Sequence, residues 1–424
     1  MFWYHDMTKH SYSSIRTNPN RLSWENQPST YKNYPSSYQK TKLDLEQKEH
    51  HFLYYIAGLT AKKSYPGGEY YLRVNPSAGA LYPNELYFQV RGIEGMKDGI
   101  YHYEVSSSSI ALLCTITEDK GIEPYLGYKT AMKGYLFLVS AVYYRSSWKY
   151  KDRAFRYCLL DAGHLLGSIE ASALLRPHAV QVIYTIERQK LNRMFGFEKR
   201  EWFLSGASVA VPMQGKEVSA IAFELPYVEG SQTFEANPVI EKAYEETSIL
   251  TECKKATKAP KFTYNTQKFQ ETIFSRRSQR GFQEGAMTKG QFNYIMEAMH
   301  QPVLSDCDEE VHIYAVVNRV LDMPLGLYTK GKYIKYGDFS KQAGYLSLEQ
   351  YALASSGAIT LFFTSDAKNY QAVYQKAGII GHRLYMASLY LELGCSGIGA
   401  YYDDEVNDFV ENNEMVLYAL AVGK

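Results

Sequence analysis

Apolar residues along this chain recur in two rhythms. Runs such as Leu86-Tyr87-Phe88-Gln89-Val90 and Leu136-Phe137-Leu138-Val139-Ser140 are short and rich in β-branched and aromatic side chains, which predicts strands. Tyr157 to Leu175 repeats its apolar positions at helical spacing and predicts a long buried helix. Another helical pattern begins near Leu43, and a shorter one covers Val239 to Thr247. From about Gly230 to Lys261 polar residues interrupt the pattern, so that stretch reads mainly as linker. Residues 1 to 45 are polar and aromatic with scattered prolines such as Pro28 and Pro35, and read as an extended arm.

The first half's order of segments returns after the linker. Asp98-Gly99-Ile100-Tyr101 is echoed by Leu325-Gly326-Leu327-Tyr328, and Leu136 to Ser140 by Leu361-Phe362-Phe363-Thr364-Ser365. Ala162-Gly163 and Ala171-Ser172 then match Ala377-Gly378 and Ala387-Ser388 within two long helical patterns. The shared order implies two copies of one α+β domain, related as the subunits of a dimer would be. The expected boundaries are an arm over 1–45, a first domain over 46–228, a linker over 229–265 and a second domain over 266–424.

A length of 424 residues with 46% hydrophobic content supports two globular domains. Lys+Arg 46 against Asp+Glu 45 leaves a net charge of +1, which argues against a dedicated binder of nucleic acid or anionic membrane. No run of 18 apolar residues predicts a membrane span, and His5, Asp6 and Lys9 interrupt any secretory signal at the start. Five scattered cysteines lack the close pairs of a zinc site or disulfide framework, so a reducing, cytoplasmic setting is expected. The 39 tyrosines suit either a pocket for a conjugated ligand or ordinary amphipathic positions in sheets.

Two motifs carry candidate chemistry. Pro76-Ser77-Ala78-Gly79-Ala80 is small enough for a planar ring to approach its backbone, and Gly79 can take positive φ; an ordinary turn before a strand is the competing reading. Arg276-Arg277-Ser278-Gln279-Arg280 concentrates guanidinium and hydroxyl donors near an expected helix-to-loop boundary, as a phosphate requires. A solvated basic patch would look similar. His50, His51 and His382 have no metal-ligand spacing, His164 reads as an interior histidine, and Asp403-Asp404-Glu405 reads as a helix start. No metal site is expected, and without a GxGxxG after a strand a Rossmann domain is not expected either.

Both motifs resemble the nitroreductase superfamily of FMN-dependent oxidoreductases. Pro76 to Glu85 and Tyr157-Cys158-Leu159-Leu160-Asp161-Ala162-Gly163-His164 look most like its SagB-type branch, which includes azoline dehydrogenases of modified peptides. The resemblance implies two nitroreductase-like domains, each a mainly antiparallel sheet flanked by helices, fused as an intramolecular pseudodimer. It also implies that Arg277, Ser278 and Arg280 clamp the FMN phosphate while Pro76, Ser77, Ala78 and Gly79 contact the isoalloxazine. Gly397, Ile398 and Gly399 resemble the segment near flavin N5 and O4, and Lys424 falls where a C-terminal cation assists the phosphate.

Lys149-Tyr150 stands where the branch's Lys-Tyr proton-transfer pair is expected, with Arg156 and Tyr157 as secondary contacts; a surface lysine beside an aromatic anchor is the alternative. The first domain lacks an Arg-Ser-x-Arg element, for which Arg16 is a poor substitute, and Pro302-Val303-Leu304-Ser305 in the second lacks the glycine of the ring segment. One FMN per chain is therefore expected. The implied activity is oxidation of a peptide-like or small heterocyclic substrate by hydride transfer to flavin. The alternatives are an NAD(P)H-dependent nitro or quinone reductase, with the nicotinamide as a transient donor, and a non-catalytic flavin- or peptide-binding partner protein. Further homo-oligomerisation is compatible with either.

Overall fold

The computed structural model describes residues 2–17, 22–65, 68–176 and 178–424. The chain divides into an N-proximal unit, Leu22–Pro260 with Pro302–Asp308, and a C-terminal unit, Met1–Arg21 with Lys261–Gln301 and Glu309–Lys424.

The N-proximal unit is built on a sheet of β1 (Gln39–Lys42), β2 (Asn84–Arg91), β3 (Gly99–Glu104), β4 (Ser109–Thr115), β5 (Thr130–Ala141), β6 (Gln181–Ile183) and β7 (Trp202–Glu217). Their spatial order is β1-β4-β3-β2-β5-β7-β6, with every neighbouring pair antiparallel. β2 is buried along its whole length, which explains its nearly continuous apolar run, and Phe88 faces Phe137 across the β2–β5 ladder. Helices α1 (Lys48–Ala57), α2 (Tyr144–Tyr150) and α3 (Ala154–Ala173) complete the frame. Every residue of α3 is buried, so its small residues serve close packing around the whole helix. The helical start expected near Leu43 moves to Lys48, because the Leu43 amide prolongs the β1 ladder by bonding to the Ser108 carbonyl at 2.8 Å.

In the C-terminal unit, β8 (His312–Val317), β9 (Gly326–Thr329), β10 (Lys332–Tyr336), β11 (Ile359–Ser365), β12 (Gly394–Ile398) and β13 (Met415–Gly423) form a second sheet. Its order is β10-β9-β8-β11-β13-β12, again with antiparallel neighbours. Helices α4 (Thr266–Ser275), α5 (Lys289–His300), α6 (Tyr370–Tyr390) and α7 (Asp403–Val410) belong to this unit. Taken strand for strand in chain order, the second sheet repeats β4-β3-β2-β5-β7-β6 of the first, and α6 follows β11 as α3 follows β5. The echoed segments occupy equivalent strands and helices.

Three expectations need correction. The arm is not one extended element: its first part folds as a short helix, Trp3–Met7, with His5 Nδ1 at 3.1 Å from the Tyr374 hydroxyl in the C-terminal unit. Residues 22–45 instead join the N-proximal unit, where the Lys32 ammonium lies 2.6 Å from Glu201 Oε2 among the rings of Tyr34, Tyr87, Phe197 and Tyr227. The arm's aromatic content is core material. The stretch expected as linker up to 260 likewise belongs to the N-proximal unit, and Tyr244 of its helix Pro238–Thr247 stacks on Trp202 at 4.4 Å. Finally, Cys253 and Cys307 are disulfide-bonded with Cα atoms 5.1 Å apart, across a sequence separation of 54. The fold brings them together where spacing gave no sign, so the cysteine argument for a reducing compartment loses its basis. Among the described residues no helix is long and apolar enough to cross a membrane.

Candidate active site

In the N-proximal unit the turn before β2 carries the expected Pro76, Ser77, Ala78 and Gly79. Gly79 has φ 63°, Ala80 φ 55° and Tyr82 φ 44°, three left-handed residues within four positions. Such a turn persists only if its surroundings over-determine it. Asp161, from the buried face of α3, accepts the Ser77 hydroxyl hydrogen at 2.5 Å and the Ala78 amide at 3.2 Å. The Ser77 oxygen in turn accepts the Tyr82 amide at 2.8 Å, and the Tyr82 hydroxyl accepts the Arg73 amide at 3.0 Å. Arg145 of α2 closes the far end, donating to the Tyr82 carbonyl at 2.9 Å and to Glu85 at 2.5 Å.

The α2 helix ends on Lys149 and Tyr150, whose polar tips crowd Gly79. A Cβ at position 79 would lie 2.7 Å from the Tyr150 hydroxyl and 3.2 Å from Lys149 Nζ, so glycine is required there for space as well as for φ. The Lys149 ammonium stands 5.3 Å from the centre of the Tyr150 ring, which itself packs on Tyr157 at 4.3 Å. The expected Lys-Tyr pair and ring segment are thus neighbours. Arg156, offered as a secondary contact, is buried in α3.

Electrostatics single out Asp161. Burial pushes its carboxyl up to about 7, against the opposing pull of the Ser77 and Ala78 hydrogen bonds. Glu85 goes the other way: burial would raise it, but Arg145, His102 and Arg73 together hold it down at about 2. Burial also pushes the Cys158 thiol upward, which makes it inert rather than nucleophilic.

In the C-terminal unit the arginine motif begins where α4 ends, as its sequence suggested. Ser278 forms a parallel bridge with Cys395 of β12, and the Gln279 amide donates to the Cys395 carbonyl at 3.1 Å. The motif therefore runs beside the strand that carries Gly397 and Ile398. Tyr385 of α6 links them: its hydroxyl lies 2.8 Å from Ser278 Oγ and accepts the Gly397 amide at 2.7 Å. A Cβ on Gly397 would collide with the Tyr418 hydroxyl, so this position needs glycine too. Lys424 is exposed, its backbone carbonyl accepts the Gln283 amide at 2.7 Å, and its side chain packs over Gly285.

The three arginines divide by burial. Arg276 is buried, with its guanidinium 5.5 Å from the Tyr385 ring centre, and it adds to the burial that holds His382 down at about 3. Arg277 is half-buried and donates to the Phe274 carbonyl at 3.2 Å, while Arg280 is exposed. A structural arginine thus precedes two that can reach a ligand. Two guanidinium groups, the Ser278 hydroxyl and the Lys424 ammonium make a donor set that fits a phosphate monoester such as that of FMN. The Ser77–Gly79 turn is small and rich in backbone, with the tips of Tyr150 and Lys149 standing over Gly79. Several of these groups already have partners within the protein: Ser77 gives its hydroxyl to Asp161, Gly397 its amide to Tyr385, Arg277 one guanidinium N–H to the Phe274 carbonyl, and Ser278 Oγ pairs with the Tyr385 hydroxyl.

The Nitroreductase family model matches residues 273–424, from the end of α4 through β13. Over these residues the chain is similar to a nitroreductase family domain. A protein of Methanocaldococcus jannaschii named "Putative nitroreductase" is 30% identical over 123 residues, which are 28% of this chain and 58% of that one. The match thus spans little over half of that curated relative's length. The crystal structure of a "putative nitroreductase" from Anabaena variabilis is similar with a TM-score of 0.80 and 25% identity, covering 99% of this chain and 98% of the other. That likeness extends the nitroreductase fold over the N-proximal unit as well. Sequence reasoning gave no role to Tyr385 or Asp161. A hydroxyl or carboxylate on an otherwise closely packed helix is a readable signal, but its partners are 107 and 84 positions away.

Proposed function

We propose that this protein is an FMN-dependent oxidoreductase of the SagB type that oxidises a peptide-like or small heterocyclic substrate. The observation that carries this reading is the convergence of Lys149 and Tyr150 on Gly79, which sets a cation and a phenol against the segment expected to meet a flavin ring. When bound, FMN supplies the ring that takes up or gives back a hydride. The phosphate falls to Arg277, Ser278, Arg280 and Lys424, and the ring to the backbone of Pro76 through Gly79 and to Gly397, Ile398 and Gly399. That division rests on the sequence resemblance, as do one FMN per chain and an intramolecular pseudodimer. The repeated strand order supports the duplication behind both.

Desolvated beside a bound ring, Lys149 gives up its proton to solvent, and its neutral amine Nζ takes the proton released as a substrate C–H bond is oxidised, with the Tyr150 hydroxyl as its partner. A second reading, reduction of nitro compounds or quinones with NAD(P)H as transient donor, is favoured by the names of the two relatives. Purified protein tests the proposal. It should be yellow and release FMN on denaturation, and Arg277→Ala with Arg280→Ala should lower FMN affinity at least about tenfold, as loss of charge-assisted bonds implies. Lys149→Ala should keep its flavin and slow oxidation of a substrate C–H bond by about 100-fold, the scale of general acid–base catalysis. Colourless protein contradicts both enzymatic readings; a yellow protein that no hydride donor bleaches is a flavin-binding partner instead.

A further inference from the structure

Asp161 is a buried carboxylate whose partners are a hydroxyl and a backbone amide. Asp161 is 4% exposed, and among the described residues no cation is bonded to it. A buried carboxylate is costly, and an amide or an apolar residue would fit a packed helix without that cost. What Asp161 does hold is specific. It takes the hydroxyl of Ser77 and the amide of Ala78, immediately before the three left-handed residues of the turn. The Ser77 oxygen then fixes the Tyr82 amide, so one carboxylate closes the ring-facing turn from its first residue to its sixth.

We propose that Asp161, as a carboxylate, is a positioning residue that sets the Ser77–Gly79 turn beneath Lys149 and Tyr150 for ligand binding. The inference rests on the proposed flavin site for its ligand, but not for the turn itself. Both oxygens act as acceptors, facing two donors whose hydrogens are already aimed at them. Protonation gives one oxygen a hydrogen, so the carboxyl offers fewer acceptor sites and the Ser77 hydroxyl can keep its contact only by rotating to accept, giving up the bond it donates. Its titratable neighbour is Cys158 on the same helix, whose thiol stays protonated; Lys149 and Tyr150 of α2 stand against Gly79 of the turn. With the carboxyl at about 7, occupancy of the ordered turn rises as pH climbs through neutrality.

Two measurements on the full chain test this. Amide exchange should show Ala78 and Tyr82 protected in the wild type at pH 8, and Asp161→Asn should lose that protection while α3 stays protected. FMN titration should give an affinity that increases with pH across neutrality, with a step near pH 7 that Asp161→Asn abolishes, leaving affinity at pH 8 about tenfold weaker. Ser77→Ala should weaken binding similarly, and the double variant should be no weaker than the single ones, since both remove the same contact. Unchanged exchange at Ala78 and Tyr82 in Asp161→Asn overturns the proposal, as does an FMN affinity with the wild-type pH step. If wild-type protein binds no FMN, the proposed function fails, and the exchange measurement still decides whether Asp161 sets the turn.

Discussion

Ser77 donates one hydrogen bond and accepts another, and both are internal. Its value to the site is the shape of the turn, with the neighbouring backbone left to meet a ligand. The carboxylate that secures it has a thermodynamic cost of definite sign. The folded-state pKa of Asp161, about 7, lies above that of an unfolded aspartate, so between about pH 4 and pH 7 the folded chain binds more protons. Stability contributed by the protonated form is therefore full below about pH 4 and is lost as pH rises to about 7, by a few kcal/mol in all at about 1.4 kcal/mol per unit. Denaturant unfolding of wild type and Asp161→Asn across that range should show this slope in the wild type and its absence in the variant. Pro76, Ser77, Lys149 and Arg277 could be singled out in the sequence because each belongs to a short contiguous motif. Asp161 and Tyr385 act through partners that only the tertiary fold supplies.

Among the elements, α2 links site to sheet. Arg145 bonds Glu85 of β2, the Tyr82 carbonyl and, through its Nε at 2.8 Å, the Gly230 carbonyl, while His102 of β3 holds the second Glu85 oxygen at 2.9 Å. All three side chains are buried. Arg145→Met would leave Glu85 charged and short of its cation, at a cost of about 3–5 kcal/mol, read as a lowered urea midpoint with loss of the turn before β2. A midpoint within about 0.5 kcal/mol of wild type would show that the network does not organise this turn. Hydrophobic rhythm alone located β2, β5, α3 and α6, since each buries nearly every residue. It misread Leu43, whose place is fixed by a backbone bond to Ser108, and it took Tyr4, Tyr34 and Lys32 for an arm although all three are buried. Polar composition around short aromatic insertions does not reveal docking onto a partner surface.

For the whole molecule, duplication is the organising fact: two sheets with the same order of six strands, each followed through by a long buried helix. The echo was readable because Gly and Ala positions in α3 and α6 are constrained by close packing. The Cys253–Cys307 bond was not, because it depends on residues 302–308 joining the N-proximal unit after 41 intervening residues, 261–301, of the other. The account predicts one bound FMN per chain, drawing on the ring segment and Lys-Tyr pair expected in the N-proximal unit and on Arg277, Ser278 and Arg280, which lie in the residues matched by the Nitroreductase family model. The flavin content of the purified full chain, by absorbance at saturation with FMN, tests this most directly. One FMN per chain, falling towards zero in the Arg277→Ala, Arg280→Ala variant, is the predicted result; two FMN per chain, or saturation undiminished in that variant, would contradict it.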